Sequence, residues 1–158
     1  MPQDEFELDD IDRGILQLLQ QDARNATVTS IGEALGIAHS TVSTRIDALE
    51  DRGVIQGYTV TLDLDRAGVN PTMLVVCDVP ATEREALAET VIDLEGVTGV
   101  RTVLAGTRNL HATVVGREVR ELSRACQRIE ETGADIVDTG VVKVQYRQPF
   151  DHFGTDPL

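Results

Sequence analysis

The sequence predicts an α+β chain in two parts: three short helices, then a β-α-β-β-α-β array. Three observations carry this. Apolar residues recur at helical spacing from Leu8 to Leu49, then the pattern changes to Val-rich runs of strand length alternating with two further helical stretches. Glycines at 36, 53, 96 and 133 stand where helical segments should stop. The turn signals Asn70-Pro71, Pro80 and Gly106 bound the strands.

In the first helix Leu8, Ile11, Ile15, Leu18 and Leu19 share a face, and Asp9 or Asp10 can cap the first turn. Gly14 weakens this helix and is either a tolerated glycine or a point of close packing. After a loop from Gln21 to Ala26, Thr27, Thr29 and Ser30 compete as N-caps, with Ser30 and Glu33 at capping-box spacing. Ile31, Ala34 and Leu35 form a short apolar segment that stops at Gly36. Three residues later a hydroxyl-rich segment begins and runs to Gly53, with Val42, Ile46 and Leu49 as its buried stripe. This is helix-turn-helix spacing. At 100° per residue Ser40, Ser43, Thr44 and Asp47 face outward, with Thr41 and Arg45 on the shoulders. Small hydroxyls and a guanidinium on an open helix face suit the edges of DNA base pairs, although capping and solvation account equally well for this stretch by itself. Val54 to Val60 should start an extended segment.

In the second part, Thr72 to Val79 reads as a strand and Thr82-Glu83-Arg84-Glu85 as a capping box opening a helix with Leu87, Val91 and Leu94 on one face. Val97 to Ala105 and Leu110 to Val115 form a hairpin around Gly106-Thr107-Arg108-Asn109. Glu118 to Glu131 is a helix, apolar at Val119, Leu122, Cys126 and Ile129, and Ile136 to Tyr146 is the last strand. The order is the split βαβ, or ferredoxin-like, arrangement, with both helices on one face of an antiparallel sheet. Met73 to Cys77 and Val141-Val142 are apolar on both faces, so a second copy of the sheet is the simplest cover and a homodimer is expected.

Composition sets further bounds. The chain has 158 residues and a formal charge of −13, from 27 acids against 14 bases. Residues 1 to 60 alone hold 11 acids and 4 arginines, or −7, which opposes the phosphate neutralisation that usually drives DNA affinity. Lys143 is the one lysine, beside 13 arginines and 15 aspartates. Acid enrichment with lysine depletion is surface chemistry suited to molar salt, where charges are screened within about 3 Å, so a salt-loving source, a halophilic archaeon, is expected. No apolar run approaches 18 residues and no leader pattern opens the chain, so a soluble cytoplasmic protein with no membrane contact is expected. Cys77 and Cys126 look like reduced, buried thiols.

Taken together, the chain resembles the leucine-responsive regulatory protein and asparagine-synthetase activator (Lrp/AsnC) family of transcription regulators over about residues 8 to 147. The resemblance rests on Leu8-Asp9-Asp10-Ile11-Asp12 with Ile15-Leu16, Asp22-Ala23-Arg24, Gly36, Arg45-Ile46, Leu49-Glu50 and Gly53-Val54-Ile55-Gln56-Gly57-Tyr58. It implies a helix-turn-helix DNA-binding domain (8–60), a linker (61–71), a ferredoxin-like ligand-sensing and dimerisation domain (72–147) and a tail (148–158). It also implies dimers that build tetramers or octamers, and a small effector bound between subunits. Carried over, contacts to double-stranded DNA would fall on His39, Ser40, Thr41, Ser43, Thr44 and Arg45, with Arg52 helping to anchor the backbone; the effector would meet Gly106, Thr107, Arg108 and Asn109, with His111 beside them. The family's effector turn commonly carries carboxylates, whereas Gly106-Thr107-Arg108-Asn109 is neutral and basic, which puts an unmodified amino acid in doubt and favours an anion or an empty site.

Neither metal-ligand spacing, nor a nucleotide loop, nor a nucleophile arrangement is present, so no metal, cofactor or enzymatic activity is expected. The reading is a sequence-specific transcription regulator. An architectural DNA-wrapping protein and a ligand-sensing module of little sequence specificity are the alternatives.

Overall fold

The computed structural model describes residues 7–146 and 148, which form two compact units: 7–60 together with 146 and 148, and 61–145. The expected tail falls outside the described residues apart from Gln148.

The first unit holds α1 (Asp10–Asp22), α2 (Val28–Leu35) and α3 (His39–Asp51) around Ile15, Leu16, Ile31, Val42 and Leu49. Local hydrogen bonding sets each helix boundary. Asp9 caps α1 in a reciprocal capping box with Asp12, so the helix starts two residues after Leu8. The same device opens α2, but its partners are Thr27 and Ser30, not Ser30 and Glu33. Gly36 ends α2 in the left-handed conformation at φ 66°. α3 closes in a Schellman motif: Gly53, at φ 70°, donates to Glu50 O while Val54 donates to Leu49 O. Ala34, expected in the apolar stripe, is exposed, and Leu35 makes the contact instead. The extended segment expected at Val54–Val60 forms no strand among the described residues.

Two glycines set the packing. A Cβ on Gly14 would lie 2.7 Å from Leu35 Cδ2, so this glycine marks close approach of α1 and α2. A Cβ on Gly32 would meet Ile37 O at 2.9 Å and His39 Cδ2 at 2.8 Å, so the turn between α2 and α3 folds onto bare helix backbone.

The second unit is the expected ferredoxin-like arrangement. Strands β1 (Thr72–Asp78), β2 (Val97–Thr102), β3 (Leu110–Val115) and β4 (Asp135–Val141) form an antiparallel sheet in the order β2-β3-β1-β4. Helices α4 (Arg84–Ile92) and α5 (Val119–Glu131) pack on one face, against Met73, Val75, Cys77, Leu110, Ala112 and Val114. Strand register places Leu74, Val76, His111 and Thr113 on the opposite face. The Thr82–Glu85 capping box does not form; α4 starts after Glu83, which makes no side-chain cap. On α5, Val119 is exposed and Ala125 takes the buried position. β2 ends at Thr102, short of Ala105; beyond it Val103 still donates to Asn109 O across the hairpin, and the Arg84 guanidinium forks onto the carbonyls of Val103 (2.9 Å) and Ala105 (3.4 Å). β4 likewise ends at Val141 rather than Tyr146.

Candidate nucleic-acid interface

α3 projects Ser40, Ser43, Thr44 and Asp47 to solvent, as the spacing predicts, while Val42 and Leu49 are fully buried and Ile46 and Thr41 half-buried. The outward side chains are not equivalent. Thr44 donates its hydroxyl to Ser40 O (2.9 Å), which commits that hydroxyl to the helix's own backbone. Ser40 and Ser43 make no side-chain hydrogen bond within the described residues, so their hydroxyls are available to a partner. His39 is exposed in the first turn with its ring edge over Gly32. Arg52 occupies the α3 C-cap.

Arg45 differs from the rest. Its Nη1 lies 2.7 Å from Asp9 Oδ2 and 3.2 Å from Asp12 Oδ1, so the guanidinium bridges α3 to the capping box that opens α1. The Asp12 side chain is only 3% exposed. A carboxylate so buried requires a cation, and Arg45 supplies it. The ionisation behaviour fits: Asp12 first and Asp9 second hold Arg45 even more firmly protonated than usual. The Asp9 carboxyl is held below the ordinary range by the Asp12 N–H and then by Arg45, outweighing its partial desolvation. Near the end of the helix, Tyr58 donates its hydroxyl to the exposed Glu50 (2.9 Å), and burial followed by that carboxylate raises the phenol's pKa. Asp9 and Asp12 are thus site residues that the outward-face reasoning missed. Asp12 falls on the stripe of Leu8, Ile11 and Ile15, and an acid at a core position was the available signal.

The residues expected around an effector sit in the loop between β2 and β3. Gly106, Thr107 and Arg108 are exposed. Arg108 takes positive φ (54°) and forms an exposed pair with Asp138 at 3.4 Å. Its carbonyl accepts from the His111 ring at 2.9 Å when Nε2 carries the proton. Asn109 is 1% exposed, and its amide is spent on the backbone: Oδ1 accepts from Val79 N (3.0 Å) and Nδ2 donates to Val79 O (2.9 Å). It pins the start of β3 to the end of β1. Of the five residues, then, Arg108, Asn109 and His111 have internal partners, and Gly106 and Thr107 are the exposed remainder of the turn.

Comparison with known proteins places this geometry. Residues 8–56 match the family described as winged helix-turn-helix DNA-binding. A helix-turn-helix transcriptional regulator of Pyrococcus furiosus, itself uncharacterized, is 44% identical over 70 residues, covering 44% of this chain and 47% of that protein. The match therefore spans about half of that relative's length. The transcriptional regulator LrpA of Pyrococcus horikoshii is 30% identical over 139 residues, covering 87% of this chain and 88% of its own. The chain belongs to the Lrp/AsnC family of DNA-binding transcription regulators. The fold agrees in both units. The leucine response regulatory protein of Mycobacterium tuberculosis superposes with a TM-score of 0.78 over 89% of this chain and 96% of its own, at 23% identity. As an Lrp/AsnC regulator the chain keeps the helix-turn-helix, but no wing strand forms among the described residues of its first unit. No helix among the described residues is long and apolar enough to cross a membrane.

Proposed function

We propose that this Lrp/AsnC regulator recognises a specific double-stranded DNA sequence through the exposed hydroxyl face of α3. The observation that carries the reading is that Ser40 and Ser43 are exposed and uncommitted on a helix fixed from behind by the Arg45–Asp9–Asp12 bridge. Ser40 and Ser43 read base edges by hydrogen bond, and the exposed Thr44, its hydroxyl bound to the backbone, offers its methyl to a thymine methyl. His39 and Thr41 flank them, and Arg52 anchors the backbone at the far end of the helix. Arg45 acts in this proposal as a positioning residue: it holds the reading face at a fixed angle to α1 and does not itself touch a base.

A second copy covers the sheet face carrying Leu74 and Val76, giving a homodimer that assembles further into tetramers or octamers and presents two α3 helices to a palindromic site. A small effector tunes the assembly. Asn109 is too occupied to bind it, and Arg108 favours an anion.

The acidic surface adds a condition. With Asp47 on the reading face and −13 overall, affinity rests on fit and hydrogen bonding in concentrated salt, consistent with a halophilic, cytoplasmic setting. Random-oligonucleotide selection in molar KCl tests the proposal. A palindromic motif with half-sites a whole number of helical turns apart is expected; broad enrichment without a motif supports the architectural reading instead. The thermal midpoint should rise from low to molar KCl, and a midpoint no lower at low salt overturns the halophilic assignment.

A further inference from the structure

For a chain this acidic, the C-terminal unit holds an unusual concentration of arginine. Arg117, Arg120, Arg124 and Arg128 lie within 12 residues, at the entry to α5 and along its first three turns. Three of them line a cleft of about 320 Å³ together with Glu95, Gly96 and Glu121. The cleft lies at the end of the sheet where β2 begins and β3 ends, away from the Gly106–Asn109 loop at the other end of the same hairpin. Gly96 forms part of its wall. The residue turns the chain at φ 88°, and a side chain there would come 3.2 Å from Val115 O.

Of the two carboxylates of the cleft, one is paired with an arginine and the other accepts a backbone N–H. Glu95 holds Arg128, with Nη1 3.0 Å from the carboxylate and 3.3 Å from the Glu95 carbonyl. Glu121 Oε2 accepts the Arg117 backbone N–H at 2.7 Å. That leaves the guanidinium groups of Arg117 and Arg124 facing one cavity with no protein acceptor within the described residues. Neutralising acids are abundant elsewhere on this surface, so two arginine forks without an acid partner among the described residues, lining one open cleft, are a recognition feature for a small anion.

We propose that this cleft binds a small carboxylate- or phosphate-bearing metabolite, with Arg117 and Arg124 as its anion ligands and Arg128 held in place by Glu95. The cleft wall also touches the segment that leads into the sheet: Gly116, next to Arg117, donates its N–H to Pro71 O (3.1 Å). Occupancy therefore stiffens the wall where residues 61 to 71 join β1. Binding at the cleft does not depend on DNA recognition, so the two proposals fail separately.

The test is calorimetric titration of the full chain with inorganic phosphate and with succinate, at one fixed KCl concentration. Saturable binding of at least one probe, one per chain, is expected, and its Kd should rise about tenfold or more in the Arg117→Ala/Arg124→Ala double variant. Arg101→Ala, an exposed arginine on β2 outside the cleft, serves as control and should bind as the native chain does. Saturation by phosphate alone assigns a phosphate-bearing ligand, and saturation by succinate alone a carboxylate. Absence of saturation with both probes, or an unchanged Kd in the double variant, overturns the proposal.

Discussion

Asp12 is the residue through which α3 is held to α1, and its replacement by alanine is the most informative perturbation. The substitution removes contacts of 3.2 and 3.3 Å to the Arg45 guanidinium and the 3.3 Å acceptance from Asp9 N–H. Hydrogen bonds to charged groups are worth about 1.5–3 kcal/mol each, but Arg45 keeps Asp9 at 2.7 Å as a fallback, so a loss of about 2 kcal/mol is the reasoned figure. For a domain of this size that is a fall of roughly 8–16 °C in the midpoint of the N-terminal unit, followed by helical circular dichroism or calorimetry. The functional consequence separates two roles for Arg45. If it positions α3, Asp12→Ala and Arg45→Ala weaken binding to the selected site by similar factors, and the double variant is no worse than the weaker single. An unchanged midpoint in Asp12→Ala, or intact DNA binding in Asp12→Ala beside lost binding in Arg45→Ala, refutes the positioning role and returns Arg45 to the DNA.

Three further outcomes follow from the packing. Gly32→Ala should destabilise the N-terminal unit by about 1–3 kcal/mol, because its Cβ meets the Ile37 carbonyl; Gly14→Ala should be near neutral, because only the flexible end of Leu35 must shift. A thermal melt of the pair measures the contrast. Asn109→Ala should cost about 2–4 kcal/mol of C-terminal stability by orphaning both the N–H and the C=O of Val79, readable by denaturant titration. Burial pushes the Cys77 thiol up to about 11 from an ordinary 9.0, so the folded state keeps it protonated after the unfolded chain would have ionised. Stability from this group is complete below about pH 9 and is lost as pH rises through about 11. Cys77→Ser should flatten that alkaline slope, and a thiol reagent at pH 8 should leave Cys77 unmodified in the folded protein.

What the sequence made legible was governed by local chemistry. Helix stops at Gly36 and Gly53, the apolar stripe of Val42 and Leu49, and the β-α-β-β-α-β order all depend on neighbours within one or two turns, and all appear where the spacing puts them. Local rules also misled where two solutions compete: Ser30 is flanked by Thr27 and Glu33 at equal spacing, and the hydroxyl pair forms the box. Illegible were the contacts that join distant segments. Arg45 and Asp12 are 33 residues apart, and Asn109 and Val79 are 30 apart. Residue type alone cannot show that an arginine on a helix shoulder faces a buried carboxylate rather than a phosphate, or that an asparagine in an open-looking turn is spent on a strand end. Both marks were visible as anomalies, an acid on a core stripe and an amide next to the buried Leu110, without their partners being named.

In the proposed function the Ser40 and Ser43 hydroxyls of α3 carry DNA recognition. The most direct measurement is the affinity of native protein and of the Ser40→Ala/Ser43→Ala variant for the site selected in molar KCl, at that same salt. Both side chains are exposed and make no hydrogen bond among the described residues, so the variant should fold and melt as the native protein does. A loss of about tenfold or more at an unchanged midpoint is the predicted result. Equal affinity of the two proteins for that site would contradict the account.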